Sequence, residues 1–261
     1  MLLVLFVHGA CCQTTALPGP DQKDKTGDKD DIKSSSLKFG LNYLSNNVFM
    51  GRADSVTTPT IVPDAKFTLK SGIYFSASLY YVPNKKSNKL DGGSLSAGYD
   101  FDITADLLGM VSYTKQFYSA SSTEITSSIR NSFSANLNYE IGEIMSAAVN
   151  TDYIINKQGT DEFFVGLDLS HDFIKKGVSG SNDLLLISPT ITINTGKPQL
   201  SGYSVLDCEI SIPGIYKTGN LIFQLMPIYA ITIGELPAVI STMESRKSSI
   251  FYFEAGITLK F

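Results

Sequence analysis

Tryptophan is absent from the 261 residues, histidine occurs twice and cysteine three times. Two histidines and three cysteines are too few for a zinc framework or a disulfide scaffold, so no metal and no cofactor is expected. Positive charge is scarce as well: 21 Lys+Arg stand against 25 Asp+Glu, giving a net charge of −4. That balance excludes the basic face a nucleic-acid partner requires. Long apolar runs are also missing. Hydrophobic residues make up 43% of the chain, yet the mean hydropathy is only +0.06, so apolar and polar side chains must be finely interleaved. The one stretch that could pass for a membrane helix, 221–240, is interrupted by Gln224, Pro227, Glu235 and Pro237.

The chain opens on the apolar run MLLVLFV and the small residues around Ala10 and Cys12, the pattern of a secretory signal peptide over 1–12. Ala10 and Cys12 suit cleavage before Gln13, while Cys11 keeps lipidation open as the rival. Residues 13–35 carry dense mixed charge and almost no apolar side chains. Such a segment cannot bury enough surface to offset its ordering entropy, so a disordered periplasmic tether is expected there, followed by one folded domain over 36–261.

What the chain does have, from Leu37 onward, is alternation. Phe251, Phe253, Ala255, Ile257, Leu259 and Phe261 are apolar, with Tyr252, Glu254, Gly256, Thr258 and Lys260 between them. A strand puts those two sets on opposite faces. The same test at every such run predicts twelve strands, near 37–46, 59–70, 72–82, 91–101, 105–117, 127–139, 144–155, 162–173, 184–195, 205–213, 220–232 and 250–261. Connections alternate between tight turns and longer polar loops. Strands of about ten residues joined in this way predict an all-β, antiparallel up-and-down barrel of the Gram-negative outer membrane. The bilayer is then the first partner. Phe261, ending an alternating strand, resembles the aromatic C-terminal signature recognised by the outer-membrane assembly machinery, which is expected as a second partner. Tyr43, Tyr81, Tyr113 and Tyr153 fall at loop ends, and Tyr99 and Tyr139 at turn ends, where interfacial girdles belong. A soluble β-sandwich alternates too, but its wet face would carry Lys and Glu rather than Ser, Thr, Asn and Gly.

The run from Leu44 to Arg52, with its Phe49-Met50-Gly51, and the later Ser71-Gly72-Ile73-Tyr74-Phe75-Ser76 resemble the opening of the TorF-type porins. Those barrels begin with a strand, an aromatic-x-Gly loop and a second hairpin turning on Ser-Gly. The resemblance covers mainly residues 37–80, and it implies a barrel that is a channel in name. The family's usual arginine before the glycine is Met50 here, with Arg52 displaced. The segment from Ile187 to Thr192 is similar to other outer-membrane barrel proteins.

Catalysis is not expected. An outer-membrane lipase needs a serine activated by a histidine on the lipid-facing side. The lone histidine beyond the leader, His171, phases outward while Ser170 beside it phases inward. Cys208 phases outward as a small apolar residue. On the inward face, phase predicts Asp64, Asp152, Asp168, Asp172, Glu209 and Glu254 with Lys38, Lys66, Lys115, Arg130 and Lys260, a mixed lining that predicts weak ion selectivity. Arg130 and Asp152 are expected as neighbours that either constrict a pore or fill a closed lumen. Tyr74 and Tyr80 are expected to point inward and fill space, and Gly92, Gly98, Gly109 and Gly166 to leave room. Loop 233–249, with Leu236, Val239, Ile240 and Met243, is apolar enough to fold inward as a plug or to dock a protein partner at the extracellular side. The expected function is passive diffusion of small polar solutes through a narrow channel. The alternative is a closed accessory barrel partnering a larger outer-membrane assembly.

Overall fold

The computed structural model describes residues 34–54, 57–86, 88–120, 122, 125–142, 144–157, 159–180, 183–197, 202–233, 244–245 and 249–261. The expected signal peptide and nearly all of the expected tether therefore lie outside the described residues. Period-two sequence becomes twelve barrel strands: β1 Ser36–Leu44, β2 Thr60–Thr68, β3 Ile73–Tyr81, β4 Leu90–Asp102, β5 Leu107–Tyr118 and β6 Ile129–Ile141 form one half. The other half is β7 Met145–Asn156, β8 Glu162–His171 continued by Phe173–Lys176, β9 Leu184–Ile187 with Thr190–Lys197, β10 Ser204–Ser211 with Gly214–Thr218, β11 Leu221–Thr232 and β12 Ser249–Lys260. Each pairs antiparallel with its sequence neighbour, and β12 returns to β1 in the register Lys260↔Lys38 through Glu254↔Leu44. The sheet thereby closes into a ring without a free edge.

Three of the strands are interrupted at adjacent places, at Asp172 in β8, Ser188-Pro189 in β9 and Ile212-Pro213 in β10. Proline cannot donate to a ladder. The proline carbonyls keep the sheet joined here: Pro189 accepts from the His171 amide at 3.1 Å, Pro213 from Ser188 at 2.8 Å and Pro227 from Ile212 at 3.1 Å.

The apolar phase faces out. Phe39, Leu41, Phe75, Leu79, Phe133, Leu137, Leu167, Leu169 and Leu225 are all exposed, an apolar belt that water would not tolerate and lipid requires. Tyr81, Tyr99, Tyr113, Tyr139 and Tyr153 are exposed on the same face, where their amphipathic rings belong. No helix among the described residues is long and apolar enough to cross a membrane; the crossing is made by strands.

Close packing inside sets the glycine positions. A Cβ on Gly98 would lie 2.4 Å from Cζ of Tyr74. Tyr74 is itself held by the Lys66 ammonium 3.8 Å over its ring and by a hydroxyl that donates to Met110 Sδ at 3.6 Å. Gly98→Ala is expected to cost about 1–3 kcal/mol of barrel stability by overpacking, read as a lower urea midpoint in lipid vesicles, and Tyr74→Leu in that background is expected to restore it. A midpoint that Gly98→Ala leaves unchanged would refute the tight contact.

At the turn between β8 and β9, the hydroxyls of Tyr216 and Ser179 donate to Asp183 Oδ2 at 2.6 and 2.7 Å. These hydrogen bonds, Tyr216 first, hold the Asp183 carboxyl down to about 2. A depressed carboxyl stabilises the fold above its unfolded value, near 3.9, and that contribution disappears as pH falls through about 2. Wild-type barrel is therefore expected to lose more thermal stability between pH 5 and pH 2 than Asp183→Asn. Identical pH profiles would remove this role.

Candidate functional site: the lumen and its inward hairpin

Inside the ring the polar phase of each strand converges, and its chemistry changes along the axis. Toward the turns the inward positions are mostly Ser, Thr, Asn and charged residues, with Tyr74, Met110, Leu186 and Ile215 among them. Toward the loops an apolar group joins buried polar residues such as Asp91, Gln116, Asn156, Glu162 and Asp207: Leu44, Val62, Tyr80, Ile129, Ile154, Phe164, Ile228 and Ile250 are all buried. These side chains need a partner inside the barrel, and the connection between β1 and β2 supplies it. From Asn47 to Ala53 every residue of that connection is buried. Val48–Phe49 pairs with Arg52–Asp54 in the register Val48↔Ala53 and Phe49↔Arg52, and Glu244–Ser245 adds a third strand beside Asp54 and Ala53.

The two-residue turn Met50-Gly51 has φ of 49° and 70°, the left-handed pair that a tight type I′ hairpin demands. Glycine adopts it freely and methionine does not. Packing supports the strained methionine. Phe49 and Met50 form one apolar cluster with Ile129, Ile154, Phe164 and Leu206, and the Phe49 and Phe164 rings meet edge-on at 5.4 Å. Val48 and Ala53 form another with Met226, Ile228, Ala230, Ile250 and Tyr252. The hairpin thus touches β6, β7, β8 and β10 on one side and β11 and β12 on the other, bridging the lumen. Thr232 Oγ1 donates to the Gly51 carbonyl at 2.8 Å, and a Cβ on Gly51 would sit 2.7 Å from Cβ of Asp207. A third cluster, Leu44, Val62 and Tyr80 with Tyr118 against it, fills the wall at β1 to β3 and β5.

Beside and below the hairpin the lumen is a polar network. Asn136 donates to Asn150, Asn150 Nδ2 donates to Asp168 Oδ2 at 2.7 Å, and Ser134 Oγ donates to Asp152 Oδ1 at 2.5 Å. Asn194 Nδ2 donates to Asp207 Oδ1 at 2.7 Å, Asn42 Nδ2 to Asp64 Oδ1 at 2.8 Å, and the Tyr252 hydroxyl to Glu209 Oε1 at 3.4 Å.

Of the residues singled out in the sequence, Asp152, Asp168, Glu254, Tyr74 and Tyr80 point inward. Tyr80 is buried and stacked on Tyr118 at 5.5 Å, so it fills wall space beside the hairpin. Arg130 and Lys115 do not line the lumen. A bulge between Ile129 and Asn131 turns Ile129 inward and leaves Arg130 exposed. Asp152 lies opposite Ser134 instead, so the expected Arg130–Asp152 pair is not formed. Lys115 shares the face of Tyr113 and Phe117 and is exposed, its ammonium 5.5 Å over the Phe117 ring, a long side chain reaching from the lipid face toward the interface.

Losing both cations tilts the mixed lining toward acid. Asp64, Asp152, Asp168, Asp172, Glu209 and Glu254 stand with Asp207 against Lys38, Lys66, Lys260 and Arg52. The plug expected from loop 233–249 cannot be located, since Leu236, Val239, Ile240 and Met243 lie outside the described residues. The inward element is instead the first loop. Its signal was present as Val48-Phe49-Met50 in a polar loop together with apolar inward-phase positions at the loop ends of the strands.

Truncating the anchor should loosen the hairpin. Phe49→Ala removes a side chain 3% exposed and is expected to cost about 3–5 kcal/mol of hairpin seating. Trypsin, with peptide masses as the readout, is then expected to cut after Arg52 in a barrel that still runs as folded on a gel. Equal resistance at Arg52 in variant and wild type would show that Phe49 does not anchor the hairpin.

No protein-family model and no curated protein matches the sequence. Solved structures do match the fold. A KdgM porin superposes with a TM-score of 0.53 at 9% identity, covering 87% of this chain and 99% of that one. A KdgM porin in complex with disordered oligogalacturonate gives 0.52 at 10% identity over 87% and 99%. A NanC porin gives 0.51 at 10% identity over 86% and 100%. With the lipid-facing belt and the closed ring, this likeness establishes an outer-membrane β-barrel with the porin-like twelve-strand fold.

Proposed function

We propose that the protein is a narrow porin-like channel for passive diffusion of small polar solutes, closed at rest by the hairpin at 47–53, with no catalytic step and no cofactor. The observation that carries this reading is the contrast along the lumen. A lumen lined largely by hydrogen-bonding side chains is bridged on the loop side by an apolar hairpin, and that stopper is a loop held by packing rather than part of the wall. Asp152, Asp168, Glu254 and Tyr74 line the path in this reading. The resemblance of residues 37–80 to TorF-type porins supports it. A polyanion such as the oligogalacturonate named for the KdgM complex would meet a lining here in which buried carboxylates outnumber buried cations. The three apolar clusters favour one other reading, a permanently closed accessory barrel with its partner at the extracellular loops.

Planar-bilayer recording separates the two. Refolded wild-type protein is expected to be mostly silent, and a variant with 47–53 replaced by a short Gly-Ser linker is expected to show discrete conductance steps. Silence from the linker variant, verified as a folded barrel by heat-modifiable gel mobility, would sink the channel reading and leave the accessory one.

A further inference from the structure

Glu209 of β10 lies in electrostatic reach of Asp207, Asp168 and Glu254. The register explains the convergence: Asp168 of β8 pairs with Thr192, and Thr192 with Glu209, so both acids stand on one row of the wall. Glu254 enters from β12, two residues beyond Tyr252, whose hydroxyl bonds to Glu209. Carboxylates placed in reach of one another repel, and the repulsion is relieved either by protons or by a nearby positive charge. Two observations point to that charge. Asp207 is 0% exposed, and its Oδ2 accepts no hydrogen bond among the described residues, as is also true of Asp168 Oδ1. The hairpin then brings a guanidinium to the same place. Arg52 is buried, interacts electrostatically with Asp207, and lies with Cζ 5.0 Å over the Phe49 ring, while the Gly51 backbone presses against Asp207.

We propose that Asp168, Asp207, Glu209 and Glu254 form a station for small organic cations in the lumen, and that Arg52 of the inward hairpin is a tethered occupant that such a solute displaces. The inference rests on the channel reading for its transport role, though not for binding. Spread carboxylates beside the Tyr252 ring suit an extended amine, since carboxylates and an aromatic face both attract organic cations. A metal ion fits less well, as no three acids, histidines or cysteines among the described residues are grouped to hold one. The same lining makes an open pore cation-selective, as rings of one-sign charge do. Arg52 couples the two roles, because the hairpin that closes the lumen also supplies the cation its acids need.

Spermidine serves as the probe, titrated calorimetrically into the refolded full-length protein in detergent. Arg52→Gln is expected to tighten binding about tenfold, the order of one charge contact in a partly shielded site. The double variant E209Q/E254Q is expected to weaken it by a similar factor, with Asp168→Asn as a second acid variant should the double one fail to fold. Affinities unmoved by Arg52→Gln and by the folded acid variants overturn the station. In a potassium chloride gradient, the linker-replaced barrel is expected to give a reversal potential favouring potassium. Conduction with equal or anion-favouring permeability overturns the proposal while leaving the channel standing. A silent barrel whose spermidine affinity follows the acids does the reverse, refuting the channel and upholding the station.

Discussion

Within the hydrocarbon of a bilayer no water is available to a backbone amide, so a sheet can cross only if its last strand hydrogen-bonds to its first. The β12–β1 register from Lys260↔Lys38 to Glu254↔Leu44 meets that requirement here, and the rest of the structure depends on it. Once the ring is closed, each strand has one face in lipid and one in the lumen. The period of two then sorts Leu, Ile, Val and Phe outward and Ser, Thr, Asn and the charged residues inward. Even the proline interruptions in β9 and β10 respect closure, because the proline carbonyls still accept from the neighbouring strands.

Closure also creates the lumen and its difficulty. A ring of this size encloses more space than wall side chains fill by themselves, and whatever is apolar inside must be covered from within. The loop-side positions Ile154, Phe164, Ile228 and Ile250 are covered by Val48, Phe49 and Met50. The seating costs an unusual backbone at Met50, whose φ of 49° is tolerated because packing on both sides over-determines the turn. The stopper and the acidic lining are thus one arrangement. The hairpin that bridges the loop side of the lumen also carries Arg52 to Asp207 beside it on β10.

Much of this was readable from the chain itself. The twelve strands, most of their boundaries to within a few residues, the outward apolar phase and the alternation of tight turns with longer loops follow from local periodicity, although β10 runs on to Thr218, past the expected end at 213. Periodicity survives folding because a strand's two faces are set by its own backbone. The inward placements of Tyr74, Asp168 and Glu254 follow for the same reason. Arg130 was misplaced because a single extra residue in β6, invisible to a period of two, reverses the phase at one end. The supposed Arg130–Asp152 neighbours also required the register across the β6–β7 hairpin, and Ser134↔Asp152 shows that register running four residues deeper.

The sequence by itself determined the barrel, its membrane and the two chemically distinct faces, since each depends only on alternation and strand length. The tertiary structure alone decided which loop turns inward, the sign of the lumen charge and the meeting of Arg52 with Asp207. These depend on contacts between segments far apart in the chain, such as Phe49 with Phe164 and Gly51 with Thr232. No local pattern encodes which of several apolar loop segments finds a matching cavity, because the cavity exists only after twelve strands have closed around it.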